Sequence, residues 1–266
     1  MPPERTPRKL QDVSHLFLSQ NRNAGKPDSR VTEAVVWLVV ADRLLCRGYL
    51  AAGLGAAFAR QNLGVTIVEA GEGFPNIGYY FALDPGEYLA PALDPSAVVT
   101  GTSDPSIRFL SARSPGAIAA APEFPAPARL PHLLLAASTS IDAERFEHDV
   151  LGLHEAAGNF SVCDGCGEGI PDGIMVFGEE GSDAVCERIA EYIRTRSDRT
   201  VLYFAGGACA GGMERSADEV IEIPGDLERA WARPQPPADT FFDGLASGFL
   251  QLLSSRRRRK GGHASG

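Results

Sequence analysis

Six apolar residues in a row, Val35-Val36-Trp37-Leu38-Val39-Val40, precede a helix-length stretch of small residues and then a second strand-like run at 65–69. This order constrains the fold more than any other feature of the chain. A strand that is apolar on every residue is buried on both faces, as in a parallel sheet covered by helices. Residues 47–62, rich in Ala and Gly, read as a helix slim enough to lie close against such a sheet. The alternation then repeats. Strands are expected at 133–137, 159–163, 174–177, 201–204 and 219–223. Ser138-Thr139-Ser140-Ile141-Asp142 supplies capping residues for a helix running to about 156. Val185, Ile189 and Ile193 share one face of a helix over 181–196. Residues 91–131, rich in Pro, Ala and Ser, read as a long irregular connection. The expected class is α/β, with three layers and a doubly wound, mostly parallel sheet. Three regions follow: a flexible N-terminal arm over 1–30, the α/β domain over 31–232, and a Pro-rich linker, amphipathic helix and basic tail over 233–266.

Charge separates the ends from the middle. The chain is 266 residues long with net charge −9, yet residues 1–30 carry net +3 and Arg256, Arg257, Arg258, Arg259 and Lys260 add +5. The body is therefore strongly acidic. That balance disfavours specific nucleic-acid binding and leaves the tails as the parts suited to anionic surfaces. No apolar run approaches the roughly 18 residues of a membrane span, and the Arg-rich start has no apolar core of a signal peptide. A cytoplasmic protein, peripheral at most to the inner membrane, is expected. Its cysteines then read as structural thiols in a reducing compartment. Cys163 and Cys166 form a lone C-x-x-C without a second pair or histidines at ligand spacing, so no metal site is expected. Within the arm, Val13-Ser14-His15-Leu16-Phe17-Leu18 is a short apolar patch, either a partner-docking peptide or a helix folded back on the body.

The turn after the first strand is where an α/β protein of this order would hold phosphate. A phosphate loop needs a glycine-rich turn whose N–H groups face the anion, a lysine, and a Ser/Thr hydroxyl on magnesium. Residues 41–49 read Ala-Asp-Arg-Leu-Leu-Cys-Arg-Gly-Tyr, with no glycine before Gly48 and with bulky Leu44 and Leu45. No lysine occurs anywhere from residue 27 to residue 259.

Around that turn, Leu54 to Ala59, Glu69 to Asn76 and Phe81 to Leu83 together make the chain resemble the MinD/ParA group of deviant Walker-A (SIMIBI) P-loop ATPases, whose members include MinD, FlhG and BcsQ. Leu54-Gly55-Ala56-Ala57-Phe58-Ala59 is similar to the end of the family's first helix. Glu69-Ala70-Gly71-Glu72-Gly73-Phe74-Pro75-Asn76 and Phe81-Ala82-Leu83 are similar to its second strand and switch segment. Leu133-Leu134-Leu135-Ala136-Ala137-Ser138 and Val162-Cys163-Asp164 resemble its later strands, the second being the Walker-B strand. The resemblance spans roughly residues 33–230.

The departures fall on the working residues. Against the family pattern, Asp42 stands at the signature lysine, Arg47 at the P-loop lysine and Gly48 at the magnesium-binding hydroxyl. Glu69 and Gly71 stand at the switch aspartates. A charge about 4 Å from a phosphate oxygen contributes roughly 4 kcal/mol at an effective dielectric of 20. Replacing it with Asp42 forfeits that gain. An arginine fork also suits a different geometry from an ammonium point charge. The resemblance thus implies a degenerate, non-hydrolysing protein with no cofactor. It would act as a scaffold or regulator in the spatial organisation of a bacterial assembly: division site, flagellum, pilus, secretion system or polysaccharide synthase. Protein partners, and a homodimer or a heterodimer with a related ATPase, are implied too. Leu44, Leu45, Phe74 and Asn76 are the interface candidates.

Two alternatives stand beside this. The first is an active ATPase switch that binds ATP and magnesium through Arg47, Gly48 and Asp164. The second is a Rossmann flavin or NAD oxidoreductase, since 63–71 is similar to a flavoprotein's ribose-binding strand. That reading lacks its G-x-G-x-x-G, because residues 41–46 hold no glycine.

The C-terminal segment carries Phe241, Phe242, Leu245, Phe249, Leu252 and Leu253 at helical spacing, directly before Arg256. Such a helix either inserts its apolar face into a membrane while the basic run meets anionic lipid, or packs on its own domain.

Overall fold

The computed structural model describes residues 33–40, 45–71, 75–104, 106–119, 132–139, 172–178, 183–198, 200–206, 216–225, 227 and 240–261. Asp42, Leu44, Phe74, Cys163, Asp164 and Cys166, the N-terminal arm, the helix expected up to 156 and the strand expected at 159–163 lie outside these residues.

The apolar run is a strand, β1 (Glu33–Val40). Its residues alternate between two cores. Val36, Leu38 and Val40 face one layer, and Val35, Trp37 and Val39 the other. After β1 comes helix α1 (Arg47–Arg60), which ends at Gln61 before Asn62, whose positive φ stops the helix. Strand β2 (Gly64–Ala70) follows, buried along its whole length. Short helical turns α2 (Ile77–Tyr80), α3 (Pro85–Tyr88) and α4 (Ala90–Leu93) lead to β3 (Val98–Asp104) and β4 (Ile107–Ala112). The remaining elements are α5 (Pro115–Ala119), β5 (His132–Thr139), β6 (Gly173–Gly178), α6 (Asp183–Arg196), β7 (Val201–Gly206), β8 (Glu219–Glu222) and α7 (Thr240–Gly261).

The described strands form one sheet in the order β3-β4-β2-β5-β1-β6-β7-β8. Every pairing is parallel except β3 with β4. Helices α1 and α7 cover one face, and α5 and α6 the other. This is the expected three-layer, doubly wound architecture. Cys186, Ile189, Ala190 and Ile193 are the buried side of α6, close to the expected face.

Two expectations change. Residues 98–112 are not an irregular connection but an antiparallel hairpin at the sheet margin. Its outer strand, Val-Val-Thr-Gly-Thr-Ser-Asp, is half polar, and flanking Pro and Ser hide its weak alternation. Strand β5 runs two residues past its expected end, taking in Ser138 and Thr139.

Helix α7 is a structural layer of the domain. Phe242, Leu245, Phe249 and Leu253 are buried in the same core as α1, while Phe241 and Leu252 are partly buried against it. The Phe249 ring lies so close to Gly173 that a Cβ there would sit 2.2 Å from Cζ. These side chains are thus spent on the protein's own core, not held ready for lipid. Helix α1 is consequently buried nearly all round, between sheet and α7, as its small residues permit. Among the described residues no helix is long and apolar enough to cross a membrane. The backbone of α7 continues helical through Arg256 to Lys260.

Candidate functional site

In an open parallel sheet, ligands bind outside the carboxyl ends of the strands, where successive connections leave in opposite directions. That point here lies beyond β1, which has β5 on one side and β6 on the other. Helix α1 starts there, and β2 ends beside it. The residues at this place are Leu45, Cys46, Arg47, Gly48, Glu69 and Gly71.

Arg47 does not face an open cleft. Its Nε donates to Glu69 Oε1 at 3.1 Å and its Nη2 donates to the Gly71 carbonyl at 3.3 Å. The Arg47 and Glu69 side chains are only 5% and 0% exposed. The second Glu69 oxygen accepts from the Ile77 backbone N–H at 2.8 Å and from Ser111 Oγ at 2.7 Å. One buried carboxylate thus gathers a guanidinium from α1, an amide from α2 and a hydroxyl from β4. A carboxylate with this many donors is compensated for the loss of water. The pairing also suits Arg47, because a cation in the first turn of a helix is disfavoured by the helix dipole unless an anion offsets it.

Gly48 has a packing reason. A Cβ at this position would lie 2.8 Å from the Asn76 carbonyl carbon and 2.9 Å from the Pro75 oxygen. Helix α1 therefore meets the backbone of 75–77 at a distance only glycine allows. Asn76 is buried at that contact. Its Oδ1 accepts from the Gly78 N–H at 3.1 Å, capping α2, and its Nδ2 donates to the Tyr88 carbonyl at 2.6 Å. Cys46 precedes the helix, with Sγ 3.2 Å from the Pro75 oxygen and accepting from the Tyr80 hydroxyl at 3.2 Å. Burial pushes the Cys46 thiol up, partly offset by the Tyr80 hydrogen bond. Burial, with the neighbouring thiol second, pushes the Tyr80 hydroxyl up as well. Tyr49 stacks edge-on with Tyr80 at 5.5 Å and with Phe242 at 5.9 Å, tying the start of α1 to α7.

The structure therefore brings Arg47 and Gly48 together but uses both internally. Leu45, expected at an exposed interface, is 7% exposed and belongs to the core. Asn76, expected there too, is buried in capping and bracing bonds. Asn76 is buried because α1 and the 75–77 segment close on each other. Sequence reasoning missed the Arg47–Glu69 pair and Ser111. A usable signal existed, since Arg47 and Glu69 are lone charges within small-residue and apolar runs. Among the described residues no group of three or more His, Cys, Asp or Glu is placed to hold a metal ion. A small cavity of about 120 Å³ lies elsewhere, lined by Ile193, Arg194, Asp198 and Asp218 among others.

No protein-family model and no curated protein matches the chain. Solved structures similar to it include the MinD cell division protein of Aquifex aeolicus, with TM-score 0.47, 12% identity, and coverage of 86% of this chain and 97% of that one. The MinC:MinD cell division protein complex of Aquifex aeolicus is similar with TM-score 0.47 and 11% identity, over 86% of this chain and 96% of that one. A ParA family ATPase from Chlorobium tepidum TLS is similar with TM-score 0.41 and 12% identity, over 80% of this chain and 98% of that one.

Proposed function

We propose that this chain is a degenerate, non-hydrolysing MinD/ParA-like protein that acts as a scaffold or regulator in the spatial organisation of a bacterial assembly. One observation carries the reading: the arginine at the P-loop lysine position is buried and ion-paired to Glu69, with a second donor on the Gly71 carbonyl. Seating a phosphate on Arg47 would mean sharing a buried guanidinium already held by Glu69 and the Gly71 carbonyl, and would bring the incoming charge up to a buried anion. Like charges at such a distance repel by several kcal/mol at a protein-like dielectric, of order 4 kcal/mol at about 4 Å. Magnesium binding through the start of α1 has no support either, because Gly48 offers no hydroxyl and a larger residue would collide with the 75–77 backbone. The similarity of residues 47–83 to the MinD/ParA switch region supports the assembly role.

Titration calorimetry with ATP and magnesium on the full chain tests the first half. No heat and no thermal shift are expected, and stoichiometric binding would restore the ATPase-switch reading. A fluorescent fusion in the native host tests the second half. It is expected at foci or poles, and uniform cytoplasmic fluorescence counts against a spatial role.

A further inference from the structure

The two margins of the sheet are built differently. Among the described residues strand β8 closes one margin and is only four residues long, with exposed Glu219 and Glu222 at its ends. Short, charged edge strands resist pairing with other chains. Strand β3 closes the other margin among the described residues; it is longer, and its single charge, Asp104, lies beyond the regularly paired part. It runs for seven residues without Lys, Arg or Pro, and its register shift falls between Thr102 and Asp104, so 98–102 pair regularly with β4. In an antiparallel edge strand, alternate residues turn their N–H and C=O groups outward.

The surface beside this edge has a distinct character. Helix α4 packs against β3 and leaves Leu93 85% exposed, the largest exposure of a big apolar side chain among the described residues. Asp84, Glu87 and Asp94 are exposed on the same α3–α4 segment. Between Arg60 and Arg108 the sequence contains no Arg, Lys or His at all. Among the described residues, the outer edge of β3 thus lies next to the helix that carries exposed Leu93 and leads into Asp94, on a stretch of sequence without basic residues.

We propose that the outer edge of β3 is a docking site for an extended, basic segment of a partner protein, which adds to the sheet as a further strand. Backbone hydrogen bonds along 98–102 supply the pairing, and alternate side chains of the segment reach Leu93 and the acids. Charge selects this occupant over a second copy. A two-fold β3–β3 contact would place the same acidic segment against itself, in a chain of net charge −9. The proposal is independent of whether nucleotide binds at α1.

The test uses the full chain and a synthetic decapeptide of alternating valine and lysine, read by calorimetry and by residue-resolved amide hydrogen exchange. Saturable binding is expected, with slowed exchange at alternate amides of 98–102. A valine–glutamate decapeptide should not bind, and neither should the valine–lysine peptide with a central proline. Replacing Asp84→Lys and Glu87→Lys together should weaken binding roughly tenfold, with reduced salt dependence. Binding that leaves β3 exchange unchanged overturns the proposal, as does equal binding of the glutamate peptide. Protection already present in the free monomer would show that the chain covers its own edge. Protection that grows with protein concentration alone would assign the edge to a second copy. Either outcome also overturns it.

Discussion

Helix α1 carries an arginine at each end, and each is ion-paired to a carboxylate from another element. Arg47 meets Glu69 of β2 at 3.1 Å, and Arg60 meets Asp243 of α7 at 2.6 Å. The second pair is the shorter, with both Nε and Nη2 of Arg60 on one oxygen. Distance is nevertheless a poor guide to what each pair contributes. Side chains of the first pair are 5% and 0% exposed, and those of the second 42% and 48%. Water and salt screen the exposed pair, whereas the buried one has no solvent to fall back on. The dipole of α1 sharpens the contrast, because it opposes a cation at Arg47 and favours one at Arg60. The exposed pair helps hold α7 on α1; the buried pair ties the start of α1 to the end of β2.

The largest expected effect comes from breaking the buried pair on one side. Arg47→Met should cost about 3–5 kcal/mol in denaturant unfolding, because Glu69 is left charged and buried. Adding Glu69→Gln should recover much of that loss. The amide oxygen still accepts from Ile77 and Ser111, but no charge remains unpaired. If the double variant is as unstable as the single one, the carboxylate is not the source of the cost.

Next in size is Gly48→Ala. Helix propensity alone favours alanine by about 1 kcal/mol. The contact at 2.8 Å with the Asn76 backbone should outweigh this and destabilise by roughly 1–3 kcal/mol. A stabilised variant would mean that α1 and the 75–77 segment are not held as closely as described.

A smaller effect is expected from alkaline pH. The folded Cys46 thiol is raised above the ordinary value of 9.0, so above about pH 9 the unfolded chain releases a proton that the folded chain keeps. Stability therefore falls as pH rises through this window, and Tyr80 adds to the fall above about pH 10. Unfolding curves of Cys46→Ala should show a shallower decline over the same range. An unchanged slope would remove the thiol from the account. The smallest effect is at the exposed pair: Arg60→Ala should cost no more than about 1 kcal/mol, and less in high salt. A loss as large as that of Arg47→Met would break the comparison between the two ends.

Much of the fold was legible. β1, α1, β2 and β6 lie within a residue or two of their expected limits, because burial on both faces leaves a continuous apolar run. The β3–β4 hairpin was not legible, since an edge strand with one polar side gives a weak period among prolines and serines. At the candidate site, Arg47 and Gly48 were singled out as positions, but their partners were not. Glu69 lies 22 residues from Arg47 and Ser111 lies 42 from Glu69, and no local pattern records such a meeting.

The division has a physical basis. Periodicity reports which residues must leave water, so the chain by itself determined strand–helix alternation, the slimness of α1 and the amphipathic character of 241–253. It does not report which apolar surroundings or which counter-charge receives them. Phe242 and Phe249 satisfy the same pattern in a membrane or in a core, and only the tertiary structure placed them against α1 and Gly173. Arg47 satisfies the same pattern facing a phosphate or a carboxylate, and only the convergence of α1, β2, α2 and β4 gave it Glu69.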